Sequence, residues 1–249
     1  MCFDLDSEPP IPRIAGAAVS HDDLVLTAAD DNRFSAFLAA PEEATTTGVV
    51  ILPDVRGLFH FYEELALRFA ERGHLAIAFD YFGRTAGATK REAEWEYMPH
   101  VEQTTNEGVQ ADVHAAVGEL RSRGATSVFS VGFCFGGSNS WGAAASGHGL
   151  AGSIGFYGSP TRERGGTSII QRVDDMECPI LALQAGDDQG ISPADNAAFE
   201  EALTRAGVEH EIVVYDGAPH SFFDRKQEDY AEASEDAWQR TLAFIARHS

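Results

Sequence analysis

Four unbroken runs of apolar residues divide the chain, and each is about as long as one β-strand. Continuous apolar character is typical of strands in a parallel sheet that is covered on both faces. Residues 151–157 and 211–215 form two weaker runs, and residues 24–27 and 33–39 predict two further strands joined by a polar turn. The four strong runs lie at 48–52, 75–79, 127–133 and 180–184.

Segments with helical periodicity lie between these runs. The clearest is 193–206, where Ser192 is suited to cap the helix, Pro193 opens the first turn and Gly207 follows the end. Alternating strands and helices predict an α/β fold with a doubly wound, mostly parallel sheet and a single domain over residues 1–249. The other predicted helices are 62–72, 106–121, 138–146 and 229–248, and we expect the irregular stretches 85–105 and 159–177 over the active face.

Composition narrows the function classes. A chain of 249 residues, 44% hydrophobic and 23% charged, can bury the core of one large α/β domain. Its 18 basic and 39 acidic residues give a formal net charge of −21, which argues against nucleic acid or an anionic membrane as a partner. No apolar run approaches the ~20 residues of a membrane span. Three widely spaced cysteines and an N-terminus without a signal-peptide pattern lead us to expect a cytoplasmic location.

Candidate chemistry begins where the run 127–133 ends. Gly132, Cys134 and Gly136 form the pattern G-x-nucleophile-x-G, with cysteine in place of serine. A nucleophile on a sharp strand-to-helix turn has a strained backbone, and a Cβ at either flanking glycine would clash as strand and helix close up. The alternative is a small hydrophobic cysteine that ends a core strand before a glycine-rich turn.

Two later segments supply the partners that a nucleophilic cysteine needs. An acidic turn containing Asp187 and Asp188 follows the run 180–184, and His220 follows the run 211–215. Nucleophile, acid and histidine therefore occur in the order of an α/β-hydrolase triad, each after a strand. Either aspartate could face the imidazole while the other caps the turn. No other histidine shows metal-ligand spacing, so we expect neither a metal nor a cofactor.

Four motifs together resemble the dienelactone hydrolase family, over nearly the whole chain from about residue 49. They are Gly-Phe-Cys-Phe-Gly-Gly at 132–137, Pro-Asp-Val-Arg-Gly at 53–57, Asp-Tyr-Phe-Gly-Arg at 80–84 and Tyr-Asp-Gly-Ala-Pro-His-Ser-Phe at 215–222. The resemblance implies an α/β-hydrolase fold and hydrolysis of an enol-lactone of the carboxymethylenebutenolide type in chloroaromatic breakdown. It also implies that Cys134 is the nucleophile, His220 the base and Asp188 the orienting acid.

The same resemblance implies roles for residues around the triad. Asp54 stands where the family has a glutamate that helps to deprotonate the thiol, and its side chain is one methylene shorter. Val55 and Phe135 would donate their backbone N–H groups to an oxyanion hole.

For substrate binding the resemblance implies Arg84, Arg225 and Ser221. Arg84 matches a family arginine that binds the substrate carboxylate. The family's second arginine stands four residues after the histidine, where this chain has Asp224, and Arg225 is one residue further on.

Three functions compete at this point. The first is hydrolysis of a small activated ester or lactone, with or without a carboxylate, through a thiol acyl-enzyme. The second is a general short-chain carboxylesterase or thioesterase on the same residues. The third is a catalytically silent protein that binds a small ligand or senses oxidants through Cys134. Because a binding protein needs neither His220 nor Asp188, their presence favours an enzyme. The pattern makes no prediction of the oligomeric state.

Overall fold

The computed structural model describes residues 3–4, 6–91, 95–163 and 166–249. Cys2, which the sequence places in an N-terminal tail, lies outside these residues. No helix in the described ranges combines the length and apolar character needed to cross a bilayer.

The strands form one eight-stranded sheet in the order β1-β2-β4-β3-β5-β6-β7-β8. Strands β1 and β2 are antiparallel, β2 is antiparallel to β4, and all remaining neighbours are parallel. This confirms the predicted mostly parallel α/β sheet. The strands are β1 (Val19–Thr27), β2 (Arg33–Pro41), β3 (Thr47–Leu52), β4 (Leu75–Phe79), β5 (Ser127–Phe133), β6 (Gly152–Phe156), β7 (Ile180–Asp187) and β8 (His210–Pro219).

Helices cover both faces of the sheet, as a doubly wound fold requires. One core layer joins the sheet to the first and last helices, α1 and α7. The other joins it to α4, α5 and α6. Their bounds are α1 (His60–Ala70), α2 (Gly83–Ala86), α3 (Met98–Val101), α4 (Asn106–Ser122), α5 (Phe135–Ala144), α6 (Pro193–Ala206) and α7 (Ala231–His248).

Two predicted boundaries are wrong near the candidate chemistry. Helix α5 begins at Phe135 and not at residue 138. Gly136 and Gly137 lie inside the helix, where the absence of a side chain lets the backbone of neighbouring segments come close, and they do not form a turn before it. Strand β8 continues through residues 216–219, predicted as loop, and rejoins β7 beyond a register shift. The stretches predicted as irregular contain α2, α3 and a 3₁₀ helix, Ile170–Asp175.

Parallel pairing fixes where the candidate residues lie. Strands β5, β6, β7 and β8 are consecutive and parallel, so their carboxyl ends meet at one edge of the sheet. Cys134 directly follows β5, Asp188 follows β7 and His220 follows β8. Residues separated by 86 positions of sequence therefore share one edge.

Candidate active site

Cys134 occupies a strained turn between β5 and α5. Its backbone has φ 56° and ψ −112°, which a non-glycine residue seldom adopts, and its N–H donates to the carbonyl oxygen of Phe156 at 3.0 Å. A Cβ added at Gly132 would lie 1.9 Å from the carbonyl oxygen of Gly136. The glycine at 132 is therefore required for the steric reason that the sequence predicted.

The second flanking glycine brings another strand to the turn. A Cβ at Gly136 would lie 2.0 Å from the carbonyl oxygen of Leu52, the last residue of β3. The loop that follows β3, which contains Val55, is thereby held beside the start of α5. Val55 and Phe135 both line the cavity that Cys134 lines, as the predicted pair of N–H donors must.

His220 and Asp188 form a close pair in the same cavity. His220 Nδ1 lies 2.6 Å from Asp188 Oδ2, and Asp188 Oδ1 accepts a hydrogen bond from the N–H of Gly190 at 2.8 Å. The Asp188 side chain is 4% exposed and that of His220 32%. Burial alone would raise the pKa of Asp188, but the hydrogen bonds from His220 and Gly190 outweigh it and hold the pKa below its usual value. Asp188 is thus an anion that fixes the imidazole.

Asp187 has a different environment. Its side chain is exposed, and its Oδ1 accepts a hydrogen bond from Gln189 Nε2 at 3.3 Å. The sequence left Asp187 and Asp188 as alternatives for the triad acid. In the structure only Asp188 contacts the imidazole.

Tyr157 and Arg162 are among the residues of the cavity that the sequence did not predict. Tyr157 follows β6 with φ 37°, and its buried ring lies 4.9 Å from the ring of His220. Arg162 lines the wall with an exposed guanidinium. The signal for Tyr157 was its place at the end of the run 151–157, at the edge of the sheet where Cys134, Asp188 and His220 lie. The chain around Arg162 carries no regular pattern.

Asp54 is fully buried and is engaged by Arg56. Its Oδ2 lies 2.8 Å from Arg56 Nη2, and its Oδ1 accepts the backbone N–H of Arg56 at 2.8 Å. Arg56 also donates to the carbonyl oxygen of Phe3 and stacks over the ring of Phe59, 4.1 Å from its centre. The carboxylate closes a turn around Val55, and its hydrogen bonds go to Arg56 and not to Cys134.

The structure does not bring Arg84 to the cavity. Its guanidinium lies against the first turn of α4 and forms ion pairs with two carboxylates, Asp30 at 2.8 Å and Asp112 at 2.7 Å. Four of the five N–H donors of its guanidinium are used by these two carboxylates, and their charges already compensate that of Arg84. The sequence could not reveal this pairing because all three residues are far apart along the chain.

Arg225 and Ser221 also lie away from the walls of the cavity. Arg225 is exposed and paired with Glu8, which is a surface ion pair. Ser221 is buried with φ 67°, and its Oγ has no hydrogen-bond partner within the described residues. Its location directly after His220 makes it part of the backbone turn that presents the imidazole.

The other described cysteine and the metal-binding residue types offer no competing site. Cys178 is buried, and burial together with Glu177 raises the pKa of its thiol to about 12, so it stays protonated. In the described parts of the chain, no three histidine, cysteine or acidic side chains gather in a way that could hold a metal ion. Of the two described cysteines, Cys134 is the one that lines the cavity with His220 and Asp188.

Known proteins resemble this chain in sequence and in fold. The family model described as "Dienelactone hydrolase family" matches residues 34–249. The carboxymethylenebutenolidase of Rhodococcus opacus is 28% identical over 100% of this chain and 97% of that protein. A crystal structure from Klebsiella pneumoniae has 25% identity and a TM-score of 0.83, covering 92% of this chain and 99% of that one. A dienelactone hydrolase-like promiscuous phosphotriesterase from metagenomic libraries, 20% identical with a TM-score of 0.79 over 94% and 99% of the two chains, shares the fold. The match of the family model to most of the chain, joined to the strand order and the cysteine turn, shows that this protein belongs to the dienelactone hydrolase family and has its α/β-hydrolase fold.

Proposed function

We propose that this protein hydrolyses activated esters or lactones through a covalent thioester on Cys134. The observation that carries the proposal is the 2.6 Å contact between His220 Nδ1 and Asp188 Oδ2 in a cavity that Cys134 also lines. An imidazole held in this way presents its other nitrogen, Nε2, as a base. Cys134 lies on the strained turn that exposes a nucleophile.

The acylation half-reaction follows from these positions. His220 Nε2 takes the thiol proton, and the Cys134 thiolate adds to the substrate carbonyl. The negative charge that develops on the carbonyl oxygen is stabilised by the backbone N–H groups of Val55 and Phe135. The carbon–oxygen bond then breaks, His220 returns the proton to the leaving oxygen, and the acyl group stays on sulfur.

Deacylation uses the same groups in the reverse direction. His220 removes a proton from water, and the hydroxide adds to the thioester carbonyl. The carbon–sulfur bond breaks, and the thiolate takes the proton back from His220 as the acid is released. Amides are poor substrates for this route because the intermediate expels the thiolate more readily than an amine.

Helix α5 assists the thiolate. It begins at Phe135, directly after the sulfur-bearing residue, and runs for ten residues. The partial positive charge at its N-terminus favours the anionic form of the thiol.

Asp54 positions the oxyanion loop in this account. Its bonds to the backbone and side chain of Arg56 span Val55, so the carboxylate sets the direction of the Val55 N–H. Asp54→Asn should therefore lower kcat while leaving the rate of Cys134 alkylation by iodoacetamide unchanged. A matching fall in alkylation would instead assign the carboxylate to thiol activation.

General esterase activity is the second candidate, and one observation favours it. Arg84 and Arg225, the predicted carboxylate-binding arginines, are both engaged by carboxylates of the chain itself. A neutral short-chain ester needs neither of them. Rates on cis- and trans-dienelactone, compared with p-nitrophenyl acetate, separate a dienelactone hydrolase from a general esterase.

The test of the proposal is alkylation combined with substitution. Iodoacetamide should abolish hydrolysis of p-nitrophenyl acetate in proportion to labelling of Cys134, and Cys134→Ala should lose several orders of magnitude in kcat/KM. The matched control is Cys178→Ala, which removes a buried thiol outside the cavity and should retain the activity. Full activity in the Cys134 variant would overturn the proposal.

A further inference from the structure

The cavity beside Cys134 continues into a second cavity. Phe135, Ser138 and Arg162 line both. The remaining walls of the second cavity come from the start of α4, from Asn139 of α5 and from the segment that follows β6. Those wall residues are Thr104, Thr105, Asn106, Val109, Asn139, Thr167, Ser168, Ile169 and Arg172.

The electrostatic character of the second cavity differs from that of the whole chain. The chain carries 39 acidic and 18 basic residues, yet the described residues that line this cavity include two arginines and no carboxylate. Neutral threonine, serine and asparagine side chains make up most of its polar wall. A cavity of this kind favours an anionic group in a molecule that otherwise repels anions.

Neither arginine forms an ion pair with a carboxylate of the described residues. Arg172 donates from Nη2 to the carbonyl oxygen of Ala145 at 2.7 Å and to Ser146 Oγ at 3.2 Å, so its partners are neutral. Arg162 forms no ion pair within the described residues, although its guanidinium and the Asp188 carboxylate both approach Gly190: a Cβ built there would lie 3.6 Å from Arg162 Nη2 and 3.5 Å from Asp188 Oδ1. This contrasts with Arg84, whose guanidinium two carboxylates neutralise.

The position of His220 decides which part of a substrate reaches the second cavity. His220, Asp188 and Tyr157 line the catalytic cavity and are not among the described walls of the second one. The leaving oxygen must lie at His220, because the imidazole gives it the proton. The opposite part of the substrate, the acyl chain, therefore extends past Ser138 and Arg162.

We propose that the second cavity is an acyl-side anion subsite and that Arg162 is the residue that determines its specificity. The preferred substrates are then esters whose acyl group ends in a carboxylate, such as half-esters of dicarboxylic acids. The proposal rests on the function proposed above, since Cys134 must carry the acyl group. The guanidinium suits the task because its planar fork can bind both oxygens of a carboxylate.

Two substrates matched in length test the subsite. They are mono-p-nitrophenyl adipate, which has a terminal carboxylate, and its methyl ester, which is neutral. Arg162→Gln should lower kcat/KM for the anionic ester by roughly tenfold and for the neutral ester by less than about twofold. Arg162→Lys should recover part of the preference. Arg205→Gln, which makes the same charge change at an exposed end of α6, should leave the ratio of the two rates unaltered.

A second variant, at Asn106, tests the wall of the second cavity that the start of α4 forms. Asn106→Asp is nearly isosteric and adds a carboxylate to the cavity, so it should lower the ratio of kcat/KM for the anionic ester to that for the neutral ester. The subsite would be overturned if Arg162→Gln lowered kcat/KM equally for both esters, or for neither. In either case, hydrolysis of the neutral ester by the wild type still tests the proposed function separately. Failure of the wild-type protein to hydrolyse the neutral ester would overturn the proposed function itself.

Discussion

Asp187 and Asp188 are chemically identical neighbours, and their surroundings give them different tasks. Asp188 is buried beside His220, whereas Asp187 is exposed and contacts Gln189. The hydrogen bond to an imidazole, and not the presence of a carboxylate in the turn, is what orients a catalytic base.

Separate substitutions of the two aspartates test this difference. Asp188→Asn should lower kcat on p-nitrophenyl acetate by about 10²–10⁴, since the amide holds the wrong imidazole tautomer. Asp187→Asn is the matched control and should change kcat by less than about twofold. Equal losses in the two variants would contradict the assignment of Asp188.

For single residues, the sequence predicted the positions of those that follow strands. It did not predict the positions of those that depend on ion pairs or packing between distant parts of the chain. Cys134, His220 and the acidic turn were predictable because each follows an apolar run in a set order. Arg84 was placed at the substrate because no pattern reveals that Asp30 and Asp112 fold against it. Arg162 was missed because its position depends on how an irregular segment packs.

Among the elements, the turn from β5 to α5 has the tightest steric requirement. The backbone of Gly136 occupies the space where a side chain at Gly132 would lie, at 1.9 Å from the built Cβ. Gly132→Ala should therefore lower the free energy of unfolding by roughly 3 kcal/mol or more. Urea denaturation of the purified protein measures the change.

The control for this prediction is a glycine in open space. Gly118 lies exposed in the interior of α4, and a Cβ there meets nothing within 4 Å. Gly118→Ala should raise the free energy of unfolding by about 0.5–1 kcal/mol through helix propensity. Similar effects of the two substitutions would show that the turn is not sterically restricted.

The contact between α4 and the loop after α5 predicts a dependence of stability on pH. His148 is buried with its Nε2 3.0 Å from Gln110 Oε1, and His114, Arg121 and Arg172 also face it. Burial, together with the charge of these neighbours, lowers the pKa of His148 to about 4. Its contribution to stability is therefore complete above the unfolded pKa near 6.5 and is lost as pH falls towards 4.

Denaturation at pH 7 and pH 4.5 tests this contribution. Between pH 7 and pH 4.5 the free energy of unfolding should fall by roughly 2–3 kcal/mol more in the wild type than in His148→Gln. The reason is that His148 becomes protonated in the unfolded chain over this range, whereas in the folded protein it stays mostly neutral. A stability difference between the two proteins that stays constant with pH would contradict the prediction.

The sequence predicted the elements better than their ends. All eight strands were expected: six came from apolar runs, which a parallel sheet buries, and β1 and β2 from two segments joined by a polar turn. The start of α5 at Phe135 and the continuation of β8 to Pro219 were missed. Both depend on close backbone contact with other strands, which local propensity does not encode.

The whole molecule has a formal net charge of −21, which should repel an anionic substrate at long range, although we assign the second cavity to an anionic acyl chain. Long-range repulsion is screened when the Debye length falls to ~10 Å at 0.1 M salt, whereas a short contact with Arg162 persists. Raising salt from 0.01 to 0.1 M should increase kcat/KM for mono-p-nitrophenyl adipate and leave its neutral methyl ester nearly unchanged. An equal response of the two esters would contradict an effect of the global charge.

The order of strands and helices along the chain was the most informative feature of the sequence for the whole molecule. An alternation of strands and helices, with Cys134, the acidic turn and His220 each after a late strand, was enough to predict the mostly parallel sheet and the edge at which these residues meet. The second cavity was not predictable, because its walls come from α4, α5 and a 3₁₀ helix that meet only in the folded protein.

The covalent intermediate tests the central claim most directly. Wild-type protein mixed with p-nitrophenyl acetate and quenched in acid within the first turnover should carry one acetyl group, located by peptide mass spectrometry on Cys134. Cys134→Ala should carry none, and His220→Gln, which lacks the base for deacylation, should retain the acetyl group longer once it has formed. Rapid turnover of the ester with an unmodified Cys134, or with the acetyl group on another residue, would contradict the account.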